Sequence, residues 1–464
     1  LLLVTALPAS AHVGSPDVFL DAEAGPYRIF ATIRPPRAIP GVAEVEILSS
    51  STDVREIRIV PLPLTGPGAQ FAPAPDVAIR SADDPRLFTG RLWMMTAGAW
   101  QVRVSVEGAL GSGVVSVPVP TLPQATLAMS PPLRALLFGL MLLLGAGFVS
   151  VVAALFREAG LDEGETPDRR ARRRGRIAAA VASAAVVIVV VLGNQWWTAE
   201  ASSYARYVYK PLEASATVAD GRLTLGLRDP GWISTRRLDD VVLDHGHPMH
   251  LFVVSPALDR LWHLHPADSG AGQFTQALPA MPAGEYELFA DIVHKSGISE
   301  TVTGRLAIAG AIVNAPLTGD DSAWMAGRDL SDGYRMTWVR DDHALEAGRL
   351  TMFTFRVEDA MGQPASDLEL YMGMPGHAIF VARDRQVFAH VHPSGSVPMA
   401  ALEIGERSLA SAGRPDPGHQ GHLTGVPAVV TFPFGLPRAG EYRIFVQVKR
   451  AGRIETAAFD ATVE

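Results

Sequence analysis

Most of this chain alternates apolar and polar residues in short runs broken by Pro and Gly. Arg28–Ile33, Val42–Leu48 and Glu56–Val60 show the two-residue period of half-buried strands, with little helical periodicity between them. Two stretches do not alternate. Ala135–Phe156 and Ile177–Trp197, of 22 and 21 residues, carry no charge, and each is long enough to cross a hydrocarbon core about 30 Å thick. The pattern predicts a mainly β protein interrupted by a two-helix membrane hairpin.

The arrangement repeats at the scale of domains. Residues 12–129, 212–310 and 324–464 each end in the same way: Ala97-Gly98-Ala99-Trp100, Ala283-Gly284-Glu285-Tyr286 and Ala439-Gly440-Glu441-Tyr442, each leading into an alternating strand. A glycine before an aromatic at a strand start suits an immunoglobulin-like sandwich, so three such sandwiches are expected. Between the apolar spans, residues 157–176 form an Arg-rich loop with seven arginines, Arg157, Arg169, Arg170, Arg172, Arg173, Arg174 and Arg176. The positive-inside rule puts this loop in the cytoplasm and both large β regions outside. Trp196 and Trp197 sit where an interfacial anchor belongs, and neither span carries an ionisable residue to serve transport. Leu1–Ala11 has the apolar run and small-residue end of a secretory signal peptide, whose cleavage would make His12 the mature terminus. A bacterial inner-membrane protein facing the periplasm follows as the expectation.

Composition narrows the chemistry. A net charge of −8 argues against nucleic acid as a partner. With no cysteine, disulfides, zinc ribbons, iron–sulfur clusters, c-type haem and blue-copper sites are all excluded. Any metal must be held by His, Met, carboxylate or backbone groups. Twelve of the 13 histidines lie in the C-terminal half.

These histidines form a duplicated pattern. His250 is followed after twelve residues by His263-Leu264-His265-Pro266, and His377 after twelve by His390-Val391-His392-Pro393. Leu251–Val254 and Arg260–Leu264 read as a hairpin turning near Pro256-Ala257-Leu258-Asp259. Pairing about the midpoint puts His250 opposite His265, with His263 on the same face, close enough to share an ion. A one-residue slip would separate them. The same argument groups His377, His390 and His392. Met249, Met372, Met374 and Met399 lie beside these triads, and Met374 and Met399 are candidate thioether donors favouring Cu(I). His245 and His247 either extend the first site or belong to its loop. The third domain carries 29 extra residues between Pro393 and Ala439, with a Gly/Pro loop bearing His419 and His422 as auxiliary candidates. His294 and His343 look isolated.

The runs Gly373–Ala378, Phe388–Ser396 and Met399-Ala400, together with Pro248–Val254 and His263–Pro266, resemble the YtkA-like and CopC-like periplasmic β-sandwich group. The likeness covers roughly residues 212–464. It implies cupredoxin- or CopC-like sandwiches and copper handling, with a copper transporter or metallochaperone as partner. A terminal His12 resembles half of a CopC-like histidine brace, with Asp17, Asp21 or Glu23 to complete it; the domain has no second His. The expected function is a membrane-anchored copper-binding protein for storage, delivery or tolerance, not an enzyme, with zinc as the alternative metal. An envelope scaffold and a cupin-like metalloenzyme are the competing readings, and for the latter no carboxylate lies in Pro393–Met399.

Overall fold

The computed structural model describes the chain except residues 1–14, 233–235, 314, 328, 342 and 412–424. His12, His419 and His422 lie outside the described residues. The protein is mainly β, with several sheets and two long apolar helices. It divides into two units, residues 1–124 with 209–464, and residues 125–208.

In the larger unit, the N-terminal region pairs Val18–Ala24, Tyr27–Arg34, Gly41–Ser49, Leu87–Met94 and Ile79–Arg80 in one sheet. A second sheet holds Asp76–Val77, Val54–Pro63, Gly98–Gly108 and Gly111–Thr121. Alternation fills the space between them: Ile29, Val45, Ile59, Val104 and Val117 are fully buried in one core. The middle region forms a ten-stranded sheet around Leu225, Leu251, Trp262, Phe274 and Leu288. The C-terminal region builds its core from Phe353, Phe380, Phe432 and Ile444, on two further sheets. The three Ala-Gly-aromatic endings share one geometry. Each glycine opens an 11-residue strand with positive φ, 140°, 153° and 137°. Each aromatic then donates to the carbonyl four residues back: Trp100 Nε1 to Thr96 at 2.9 Å, Tyr286 Oη to Pro282 at 2.8 Å and Tyr442 Oη to Arg438 at 2.9 Å.

The 29-residue insertion carries the expected Gly/Pro loop at 415–422, which lies outside the described residues. It opens with a helix, Met399–Ser411, whose Ala400, Ala401 and Leu402 join the N-terminal core. Neighbouring backbone also pairs: Asp21 N donates to Ser394 O at 2.8 Å and Ser396 N to Phe19 O at 2.9 Å. Gly395 permits this approach, because a Cβ there would lie 2.1 Å from the Phe19 carbonyl.

In the smaller unit, Pro131–Glu158 and Arg169–Ala205 are helices long and apolar enough to span a membrane. Both overrun the expected spans. The Arg-rich segment is not all loop, since Arg169–Arg176 are the first turns of the second helix. Asp168 caps it, accepting from Ala171 N at 2.6 Å, and Arg is a good helix former. Ala171, Gly175, Ala178 and Ala182 recur along one buried face, where small side chains let the helices pack closely.

Candidate metal centre

The two His-bearing hairpins have the register their spacing requires. Leu251 pairs with Leu264 and Phe252 with His263, which sets His250 opposite His265. Ala378 pairs with Val391 and Ile379 with His390, which sets His377 opposite His392. Each hairpin is entered through the same turn. Asp244 bridges to His247 and Tyr371 to Met374, with positive φ at His245 (51°) and Gly246 (83°), and at Met372 (49°) and Gly373 (80°). Two central residues with positive φ define a type I′ turn. The turn aims a carbonyl at the first histidine of each hairpin. His250 Nε2 donates to Asp244 O at 3.2 Å and His377 Nε2 to Tyr371 O at 3.1 Å.

These bonds assign the tautomers, since a neutral imidazole carries one proton. His250 and His377 are left with unprotonated Nδ1. His263 Nδ1 donates to Gln447 Oε1 at 2.9 Å, and the Gln447 amide is oriented by donating to Ser322 Oγ at 2.7 Å and Thr456 Oγ1 at 3.2 Å. His390 Nδ1 lies 3.5 Å from Asp291 Oδ2, too long a contact to assign its tautomer. His263 therefore presents an unprotonated Nε2. The result is a pair of facing lone pairs in the first hairpin, His250 Nδ1 to His263 Nε2 at 3.1 Å, matched in the second by His377 Nδ1 and His390 Nε2 at 3.0 Å. With no proton between them, such nitrogens repel unless a cation sits between. The edge of a tetrahedral site with Zn–N of about 2.0–2.1 Å is about 3.3 Å, close to both separations.

The remaining histidines complete the cluster. His265 donates to Asp321 Oδ1 from its backbone N at 3.0 Å and from Nδ1 at 3.1 Å, and its Nε2 is buried without a hydrogen-bond partner. Donor atoms of His250, His263 and His265 lie within 4.8 Å of one another. In the second hairpin the trio meeting that distance is His245, His377 and His392, with His390 attached through His377. His245 Nε2 is 3.2 Å from His392 Nε2, and His392 Nδ1 is buried without a hydrogen bond of normal geometry, although the Val397 backbone acts on it. His247 stacks on His265 with ring centres 4.0 Å apart and meets Asp320 at 3.2 Å.

The two triads are one cluster. The ring centres of His250 and His390 are 5.3 Å apart, and those of His263 and His390 5.6 Å. Below them an apolar layer joins the hairpins: Phe252, Val254, Leu261 and Phe289 pack on Ile379, Val381, Phe388 and Phe445. Supporting groups cross between the regions. Gln447 of the C-terminal region holds His263 of the middle one, and Asp291 of the middle region faces His390 of the C-terminal one.

Burial sets the charge states. Desolvation, with like-charge repulsion between rings next, holds His250, His263, His377 and His390 well below the ordinary imidazole range. His265 and His392 are pushed down to about 3 by desolvation first and then by His247 and His245, respectively. All six are neutral at pH 7, the form that binds metal. Desolvation raises Asp291 to about 7.

The other candidates lie elsewhere. Met399 begins its helix and packs on the N-terminal core. Met374 occupies the turn, paired with Tyr371 through the backbone. His294 is held by Asp240 at 2.6 Å, and His343 is exposed beside Asp341. Asp21 pairs with Arg28 at 2.6 Å.

A domain of unknown function (DUF8832) matches residues 329–464. No curated protein matches. Solved structures that align include latent PorU from Porphyromonas gingivalis, 9% identical over 92% of this chain and 32% of that one, TM-score 0.14. Native E. coli alpha-2-macroglobulin aligns at 10% identity over 96% and 23%, TM-score 0.21. A putative membrane anchored protein from Corynebacterium diphtheriae aligns at 9% over 94% and 90%, TM-score 0.16. This chain spans about a third of the length of latent PorU. Likeness at these scores carries no argument about fold or function.

Proposed function

We propose that this chain is a membrane-anchored metal-binding protein that holds two metal ions, copper foremost, in the histidine cluster between its middle and C-terminal β regions. The observation that carries this reading is the close pair of imidazole nitrogens in each hairpin, with outer partners that leave both nitrogens of the first pair unprotonated. Packing alone gives no reason to aim lone pairs at each other in a dry interior, whereas one cation per pair removes the conflict. Second partners on the outer nitrogens are the usual accompaniment of metal-ligating histidines. Copper is put before zinc on the likeness of the two motifs to copper-handling sandwiches, and zinc suits the same imidazole donors.

Three immunoglobulin-like sandwiches, supported by the shared aromatic corner, would stand in the periplasm on the two-helix anchor, with the seven arginines at its cytoplasmic end. Storage, delivery or tolerance fits a buried, non-catalytic site better than turnover. The test is metal analysis of the purified full chain after loading with Cu(I), Cu(II) or Zn(II) and dialysis. Two coppers per chain are expected, with one lost in the His250→Ala/His263→Ala double variant and the other in His377→Ala/His390→Ala. A chain that retains no metal would favour a scaffold role.

A further inference from the structure

A cavity of about 110 Å³ reaches the second half of the cluster and not the first. Its walls include His390 and His392, with Asp17, Asp244, Asp291 and Glu300, and no Lys or Arg lines it. Three regions of the fold meet around it, and the N-terminal one supplies Ser15, Pro16 and Asp17, which no ligand argument requires. Carboxylate oxygens are the protein groups that replace waters lost from the shell of an entering cation.

The carboxylates are not equivalent. Arg236 neutralises Glu300 with contacts of 2.8 and 3.0 Å. Asp291 and Asp244 sit beside the imidazoles, and Asp244 is fixed by accepting Ala400 N at 2.7 Å. Asp17 is half-buried on the N-terminal wall and makes a long ion pair, 3.7 Å, with Arg34. Carboxylates thus run from the Asp17 wall to the imidazole wall, where His392 is 2% exposed and its Nδ1 lacks a normal hydrogen bond.

We propose that this cavity is the entry vestibule through which a partly dehydrated metal cation reaches the second half of the cluster, with Asp17 as its outer acceptor. This rests on the metal-binding reading above. Focusing of a cation by carboxylates in a confined cleft acts on the rate of arrival more than on final occupancy.

The test follows copper uptake by the full-length protein in detergent by stopped flow, using Cu(II) alone as the probe. Asp17→Asn and, as a second variant, Ser15→Lys are compared with Glu44→Gln, which removes an exposed carboxylate lining no part of the cavity. Both cavity variants should load roughly three- to tenfold more slowly, to the same final stoichiometry, while the Glu44 variant keeps the wild-type rate. Wild-type rates in both cavity variants would overturn the vestibule while leaving the metal site standing. Wild-type protein that takes up no copper would overturn both.

Discussion

The two hairpins share a turn, a register and a facing pair of imidazoles, yet their surroundings differ. The first is sealed by protein: Asp321 and Gln447 occupy the outer nitrogens of His265 and His263, and the Tyr371 hydroxyl lies 3.3 Å from His263 Nδ1. The second borrows a ligand, His245, from the first repeat, leans on the Met399–Ser411 helix and opens to a cavity. One duplicated sequence has therefore produced a closed half and an open half. A shared backbone register fixes which imidazoles meet, and on the proposed reading the neighbouring loops would decide how an ion arrives and leaves.

The largest effect expected is loss of one half by truncating its facing pair. His250→Ala/His263→Ala should remove the slowly exchanging metal and leave the fast one, and His377→Ala/His390→Ala the reverse, read by exchange into a chelator. Loss of both metals in either variant would show that the halves are not separable.

Acid should destabilise the metal-free protein strongly. The six lowered imidazoles stay neutral in the folded state, while the unfolded chain takes up protons below about 6.5. The unfolded state then binds more protons, so stability is present above about pH 6.5 and is lost as pH falls towards about 3. The raised carboxyls of Asp17, Asp244, Asp291 and Asp321 work in the opposite sense and are outnumbered. Urea unfolding at pH 7.5 and pH 5 should show a lower midpoint at pH 5, and an equal or higher midpoint would contradict this.

A smaller effect separates the supports. Gln447→Leu removes the partner of His263 and should weaken the closed half by about 10–100-fold, as loss of an outer partner commonly does. Asp291→Asn should weaken the open half less, because its contact with His390 is longer, at 3.5 Å against 2.9 Å. Competition titration with a chelator of known affinity measures both, and equal losses would remove the distinction.

Much of the site was legible because strand alternation and a fixed spacing leave little freedom once a hairpin forms. The grouping of His250, His263 and His265 followed from that alone, whereas in the second hairpin the trio within ligand distance is His245, His377 and His392 rather than His377, His390 and His392. His245 was not placed, although a signal existed: Asp244-His245-Gly246-His247-Pro248 and Tyr371-Met372-Gly373-Met374-Pro375 are the same turn 127 positions apart, with Met exchanged for His. Gln447, Asp291 and Asp321 were out of reach. They lie far along the chain from the rings they serve: contact between regions brings Gln447 and Asp291 near, and pairing of Ser322–Met325 with Arg260–Leu264 brings Asp321. The helix that opens the insertion was also out of reach, since it forms on a surface supplied by the N-terminal region. The arginine segment became helical because a cap at Asp168 outweighs its charge.

The central claim, one cation between each facing pair, is tested most directly by anomalous diffraction from crystals of the copper-loaded protein. The account predicts two peaks, one beside His250 Nδ1 and His263 Nε2 and one beside His377 Nδ1 and His390 Nε2. Copper bound elsewhere, with both facing pairs empty, would contradict it.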